Sequence, residues 1–196
     1  GMDLVSAKQV RDIGIQGGAV NIDLCLGYPA ASWHGSLRSQ VQAAVAAIPG
    51  VASVHVNIDT RIVAHAVQRT LKPLENIKNI IAVASGKGGV GKSTTAVNLA
   101  LALHAEGASV GILDADIYGP SQPRMLGIAG RPETRDGKTM EPMENHGIQA
   151  MSIGFLIDED TPMIWRGPMV TQALEQLLRD TNWKPLDYLV IDLPPG

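Results

Sequence analysis

The sequence predicts an α/β fold over residues 80–196: a mostly parallel sheet built around a phosphate-binding loop and incomplete at its C-terminal end. A small α+β (β-β-α-β) domain over residues 1–60 precedes it, and residues 61–79 are expected to link the two. Three observations predict this. Ser85-Gly86-Lys87-Gly88-Gly89-Val90-Gly91-Lys92-Ser93-Thr94 matches the pattern G-x-x-x-x-G-K-[ST] in full, between an apolar run at 80–84 and a helix-patterned run at 95–106. Before position 60 the apolar residues mostly alternate, with one stretch at helical spacing. After position 80 the apolar runs are nearly continuous, as in parallel strands covered on both faces.

Taken in order, residues 8–26 read as two strands around the turn signal Gln16-Gly17-Gly18. Leu37, Val41, Ala44, Val45 and Ile48 recur at helical spacing, and Pro49-Gly50 stops that helix. Residues 51–58 form the next strand, with Val54, Val56 and Ile58 in phase. The stretch 61–79 carries Arg61, Arg69, Lys72 and Lys78 against Glu75, contains Pro73 and shows no period, which is how linkers read. Beyond it, strands are expected at 80–84, 110–113, 148–153 and 188–192. An irregular hairpin is expected at 128–147, and a helix opens at Gly167-Pro168 and runs through Ala173, Leu174, Leu177 and Leu178.

The loop's residue types follow from its chemistry. Gly86, Gly88, Gly89 and Gly91 lack a Cβ, so backbone N–H groups can close on polyphosphate oxygens. The following helix adds its unpaired first-turn N–H groups and the positive end of its dipole. Gly86, Lys87, Gly88, Gly89, Val90, Gly91, Lys92, Ser93 and Thr94 are therefore the expected ATP-binding set. Lys92 reaches the β- and γ-phosphates, and the Ser93 hydroxyl ligates Mg²⁺. Asp192 ends an apolar strand as a Walker B aspartate does, where a carboxylate orders the Mg²⁺ shell. Asp114 and Asp116 follow the strand at 110–113, at the strand end where open α/β sheets hold ligands. One of the pair would lie near Mg²⁺ and the other would orient the attacking water; a loop-capping pair is the bland alternative.

Composition narrows the classes. The 196 residues are 45% hydrophobic and 18% charged, with a net charge of −3, which offers no electrostatic footprint for nucleic acid. No apolar run approaches the length of a membrane span, so no membrane partner is expected. A single cysteine, Cys25, excludes an internal disulfide and fits a reducing cytoplasm. Cys25 lies on the opposite phase from Val20, Ile22, Leu24 and Leu26, at a partly exposed strand position. The five histidines lack ligand spacing.

Lys87 is not required by an ordinary phosphate loop. With it, the loop resembles the deviant Walker A loop of the MinD/ParA/nitrogenase-iron-protein group of ATPases. That resemblance implies an ATP-hydrolysing homodimer in which Lys87 reaches the partner's nucleotide, and it assigns catalytic roles to Lys92, Lys87 and Asp116, with Asp116 tied to hydrolysis and Asp114 left near Mg²⁺. With Leu113-Asp114-Ala115-Asp116-Ile117-Tyr118-Gly119-Pro120-Ser121, Trp165-Arg166-Gly167-Pro168 and Asp187-Tyr188-Leu189-Val190-Ile191-Asp192-Leu193-Pro194-Pro195-Gly196, the chain resembles the bacterial Mrp/ApbC iron–sulfur cluster carriers. Residues 3–60 resemble the small domain that opens such chains. The resemblance implies a cytoplasmic carrier that binds a [4Fe–4S] cluster between two subunits and delivers it to apo iron–sulfur proteins. Cluster donors would be further partners.

Three departures from that family's pattern bear on function. The Cys-x-x-Cys that holds the cluster in such proteins would lie beyond Gly196, so no iron–sulfur ligand is expected in this sequence, which is read as part of a longer protein. The start is short, and Gly1 before Met2 reads as the remnant of a tag. Ala30 and Ala31 stand where free-standing relatives of the small domain often carry a cysteine. Two other readings remain: a ParA/MinD-like partitioning or division-site ATPase, and a purely docking role for residues 1–60.

Overall fold

The computed structural model describes residues 2–65, 74–156 and 167–196. The chain divides into two compact units, Gly1–Val63 and Ala64–Gly196.

The first unit holds β1 (Val10–Gln16), β2 (Ala19–Leu26), α1 (His34–Ala46) and β3 (Ser53–Thr60). Its sheet runs β1-β2-β3, with β1 antiparallel to β2 and β2 parallel to β3. A parallel pair needs a crossover, and α1 supplies it. Val20, Ile22, Leu24 and Leu26 of β2 turn inward against Leu37 of α1 and Val56 of β3. Cys25, one phase away, is half-buried. On β1, Ile13 and Ile15 stand opposite Ile22 and Val20 but are 52% and 74% exposed.

Two details differ from the sequence expectation. α1 ends at Ala46, and Ile48, expected on its buried stripe, is an exposed residue of the following turn. The third strand begins at Ser53 rather than at position 51, because the Val51 N–H is taken by the Ile48 carbonyl at 3.2 Å. Leu26 is fully buried. Leu26→Ala should lower the stability of this unit by about 2–5 kcal/mol through lost transfer energy and an unfilled cavity, measured by urea unfolding.

The second unit is an α/β sheet with the order β4-β8-β5-β7-β6. Its strands are β4 (Ile77–Val83), β5 (Val110–Asp114), β6 (Met143–Asn145), β7 (Ile148–Ser152) and β8 (Leu186–Asp192). Its helices are α2 (Lys92–Ala105), α3 (Gln122–Leu126) and α4 (Gly167–Arg179). Every pairing is parallel except β6 with β7. β5 and β7 are buried at every position, and the polar residues of β7 are satisfied there: Gln149 Oε1 accepts from the Lys184 N–H at 2.9 Å and Ser152 Oγ donates to Asp114.

β4 starts at Ile77, inside the stretch 61–79 expected as linker. Lys78 and Asn79 break the apolar run, which hides the strand's first half from a hydrophobicity reading. Both polar residues are used: Lys78 Nζ meets Asp187 at 2.6 Å, and Asn79 donates to the Asp187 carbonyl at 3.1 Å. The hairpin expected at 128–147 contains β6, which turns into β7 through His146 and Gly147, both at positive φ. The short α3, opened by Ser121 and Pro123, carries too few turns to leave a periodic signal in the sequence.

One register line matters for function. Val83 pairs with Asp192, Asp192 with Asp114, and Asp114 with Ser152. Four parallel strands thus finish level, and their last residues form one row at the carboxyl edge of the sheet, where open α/β sheets bind ligands.

Candidate functional site

The loop from Gly86 to Gly91 leaves the end of β4 and enters α2 at Lys92. Gly89 and Gly91 have φ of 73° and 85°, angles that cost a residue with a Cβ about 1–2 kcal/mol. A Cβ built on either would meet nothing within 4 Å, so the loop borders open space and glycine is required by backbone angle rather than crowding. α2 has no acidic residue in its first turn, so no side-chain carboxylate there competes with an anion at its N-terminus. The segment after β8 braces the loop: Leu193 N–H donates to Val83 O and Gly196 N–H to Ser85 O, each at 3.0 Å. No sequence signal marks Leu193 to Gly196 as a buttress.

Lys92 lies on the first turn of α2 and is nearly buried, its side chain 7% exposed. Its ammonium donates to Asp192 Oδ1 at 2.5 Å and to Ser93 Oγ at 3.2 Å, and stands 3.7 Å from Asp116 Oδ2. Lys92, Ser93, Asp116 and Asp192 are therefore gathered around one ammonium. Asp192 is fully buried, and its second oxygen accepts from Gln122 Nε2 at 2.9 Å. Gln122 Nε2 also donates to Ser93 O at 3.1 Å. Sequence reasoning misses Gln122, because a lone glutamine next to a proline carries no motif.

Asp114 sits beside Asp192 on the neighbouring strand and is itself fully buried. It accepts from the N–H groups of Asp116 (3.2 Å), Ser121 (2.9 Å) and Gln122 (3.0 Å) and from Ser152 Oγ (3.2 Å). These bonds tie the loop between β5 and α3 to the end of β5. Three of the four donors fall on Oδ2, which leaves Oδ1 the freer oxygen. Burial raises the Asp114 carboxyl from 3.8 to about 6; the three N–H bonds oppose this, and Asp192 adds to it by charge repulsion. The sign is opposite to that of a salt-bridged aspartate. Asp114 favours the folded state most below 3.8, and that contribution is lost as pH rises to about 6. A carboxyl-carbon NMR titration of the nucleotide-free protein should place its midpoint near 6; a midpoint at 3.8 would contradict the burial account.

Lys87, Val90 and Tyr118 are exposed around this centre, and no ion pair of Lys87 occurs among the described residues. Trp165 and Arg166 lie outside the described residues, while Gly167 opens α4. Among the described residues, no group of three or more His, Cys, Asp or Glu side chains could hold a metal. The donor set instead suits Mg²⁺, which takes one hydroxyl or carboxylate from protein and fills its shell with phosphate and water. Ser93 Oγ and the Asp192 carboxylate, both within reach of Lys92, fit that demand.

Residues 76–196 match the family model of the NUBPL iron-transfer P-loop NTPases. The chain belongs to that family. Residues 1–57 match a second model, that of an iron–sulfur cluster assembly protein. An iron–sulfur cluster carrier protein of Pseudomonas fragi is 60% identical over 158 residues, 80% of this chain and 55% of that one. One from Escherichia coli K12 is 45% identical over 198 residues, 99% of this chain and 53% of that one. The iron–sulfur cluster transfer protein NUBPL of Mus musculus is 58% identical over 127 residues, 64% of this chain and 40% of that one. A nucleotide-binding protein from Archaeoglobus fulgidus, solved with ADP, superimposes with a TM-score of 0.54 at 42% identity, covering 62% of this chain and 46% of that one. This P-loop NTPase chain thus spans about half the length of the curated relatives it matches. No helix among its described residues is long and apolar enough to cross a membrane.

Proposed function

We propose that this chain is the nucleotide-binding part of an ATP-hydrolysing iron–sulfur cluster carrier that acts as a cytoplasmic homodimer. The observation that carries the reading is the gathering of Lys92, Ser93, Asp116 and Asp192 behind a glycine loop at the carboxyl edge of the sheet. Its support from relatives is the name they share, iron–sulfur cluster carrier.

In this reading the loop amides and Lys92 hold the β- and γ-phosphates, and Ser93 and Asp192 hold Mg²⁺, which supplies charge neutralisation when bound. Lys92 then exchanges Asp192 for phosphate when nucleotide binds. Asp116, 3.7 Å from Lys92, accepts a hydrogen bond from the attacking water and orients it. Asp114 acts through its loop, keeping Asp116 and α3 in place, with Oδ1 available to the metal's water shell. Lys87, exposed and free of an ion pair among the described residues, extends to the nucleotide of a second copy. The [4Fe–4S] cluster is cargo, and Cys25, the one cysteine of this sequence, cannot alone hold it. Residues 1–60 form a domain that docks donors or acceptors, ahead of an ATPase domain whose first strand begins at Ile77, three residues before the expected boundary at 80.

The test is anaerobic reconstitution of the full-length protein followed by incubation with an apo [4Fe–4S] enzyme. Recovery of that enzyme's activity, dependent on the loaded carrier, is the expected result. A full-length protein that takes up no iron and sulfide would instead favour the ParA/MinD-like partitioning reading.

A further inference from the structure

Gln122 is buried, 1% exposed, and belongs to none of the motifs above. Its amide lies between two groups that can only accept: Ser93 O at 3.1 Å and Asp192 Oδ2 at 2.9 Å. The NH₂ end must therefore face them both, and Oε1 is turned the other way. There Oε1 has no hydrogen-bond partner among the described residues. A buried acceptor left empty is unfavourable and asks for a donor.

The other oxygen of Asp192 is taken by Lys92 at 2.5 Å. When Lys92 turns to a phosphate, Gln122 Nε2 is the contact that still holds the carboxylate. A buried carboxylate with neither partner would rotate or follow the lysine. One amide thus fastens the end of β8 to the first turn of α2 and keeps Asp192 aimed while its counter-ion departs. We infer that Gln122 is a positioning residue for metal: its Nε2 fixes Asp192 toward Mg²⁺ after Lys92 leaves. This rests on the nucleotide-binding reading above.

The test is calorimetric titration of the full-length protein with ADP, with and without Mg²⁺, for wild type, Gln122→Met and Gln122→Asn. Gln122→Met keeps length and volume but removes both polar ends. The gain in ADP affinity that Mg²⁺ provides should shrink roughly ten- to a hundred-fold in Gln122→Met, as loss of an outer-shell partner does. Affinity for metal-free ADP should stay within about twofold, since Gln122 touches no phosphate-binding group but the Ser93 carbonyl. Gln122→Asn, which keeps an amide on a shorter arm, should fall between the two. Equal loss of affinity with and without Mg²⁺ would show that Gln122 merely holds the loop together, and an unchanged Mg²⁺ gain would show it idle; either overturns the inference alone. A wild-type protein that binds no ADP in either condition would overturn the nucleotide reading beneath it.

Discussion

If the proposed function holds, Lys92→Ala should lower Mg-ATP turnover by the full-length protein at least about 10²–10³-fold, the usual loss when a donor to transition-state charge is deleted. A steady-state phosphate-release assay measures it. The same substitution has a second effect that a surface lysine would not. Lys92 neutralises Asp192, a carboxylate with no exposure, at 2.5 Å. Deleting one partner of such a pair costs about 3–5 kcal/mol, because the other charge stays buried and unpaired. The nucleotide-free variant should therefore also melt earlier. The double variant Lys92→Met with Asp192→Asn removes both charges and should recover most of the lost stability while remaining inactive. Recovery of stability without activity separates the two roles of Lys92. Normal turnover in Lys92→Ala would end the phosphate-loop assignment.

Asp116→Ala should bind Mg-ATP with nearly unchanged affinity and hydrolyse it about 10²–10⁴-fold more slowly, the range for losing a group that orients or deprotonates water. Equilibrium binding of a fluorescent nucleotide and single-turnover hydrolysis give the two numbers. The geometry favours this split. The Asp116 side chain is 14% exposed and stands 3.7 Å from the Lys92 ammonium, so it keeps access to solvent and adds less to the ion pair than Asp192 does. Asp114, fully buried and holding four donors, would behave differently: Asp114→Ala should release the loop carrying Asp116, Ser121 and Gln122 and weaken binding and turnover together. If Asp116→Ala lost nucleotide binding instead, its role would be structural.

Much of this site is legible in the sequence alone. The phosphate loop is a local device whose residue types are dictated by backbone angles and phosphate charge, so Gly91, Lys92 and Ser93 announce it in one continuous string. Asp192 is readable because a carboxylate ending an apolar run lies at a strand's carboxyl end. The alternation of Val20, Ile22, Leu24 and Leu26 discloses the inner face of β2 in the same way. Contacts between distant segments are not legible. Nothing local to Gln122 says that its amide meets Asp192, which is 70 positions away. Nothing in Leu193 to Gly196 says that they brace the loop at Ser85. The start of β4 is hidden because Lys78 and Asn79 are satisfied by Asp187 rather than by solvent alone, a pairing that hydropathy does not register. Ile48 misleads for the converse reason: it keeps helical spacing past Ala46, where the chain has already turned.

The central claim is that the backbone from Gly86 to Thr94, with Lys92 released from Asp192, forms a cradle for a magnesium-bound triphosphate. Titration calorimetry of the full-length protein with Mg-ATP tests it most directly. Saturable binding that Lys92→Ala abolishes is the expected result. A flat titration of the wild-type protein would contradict it.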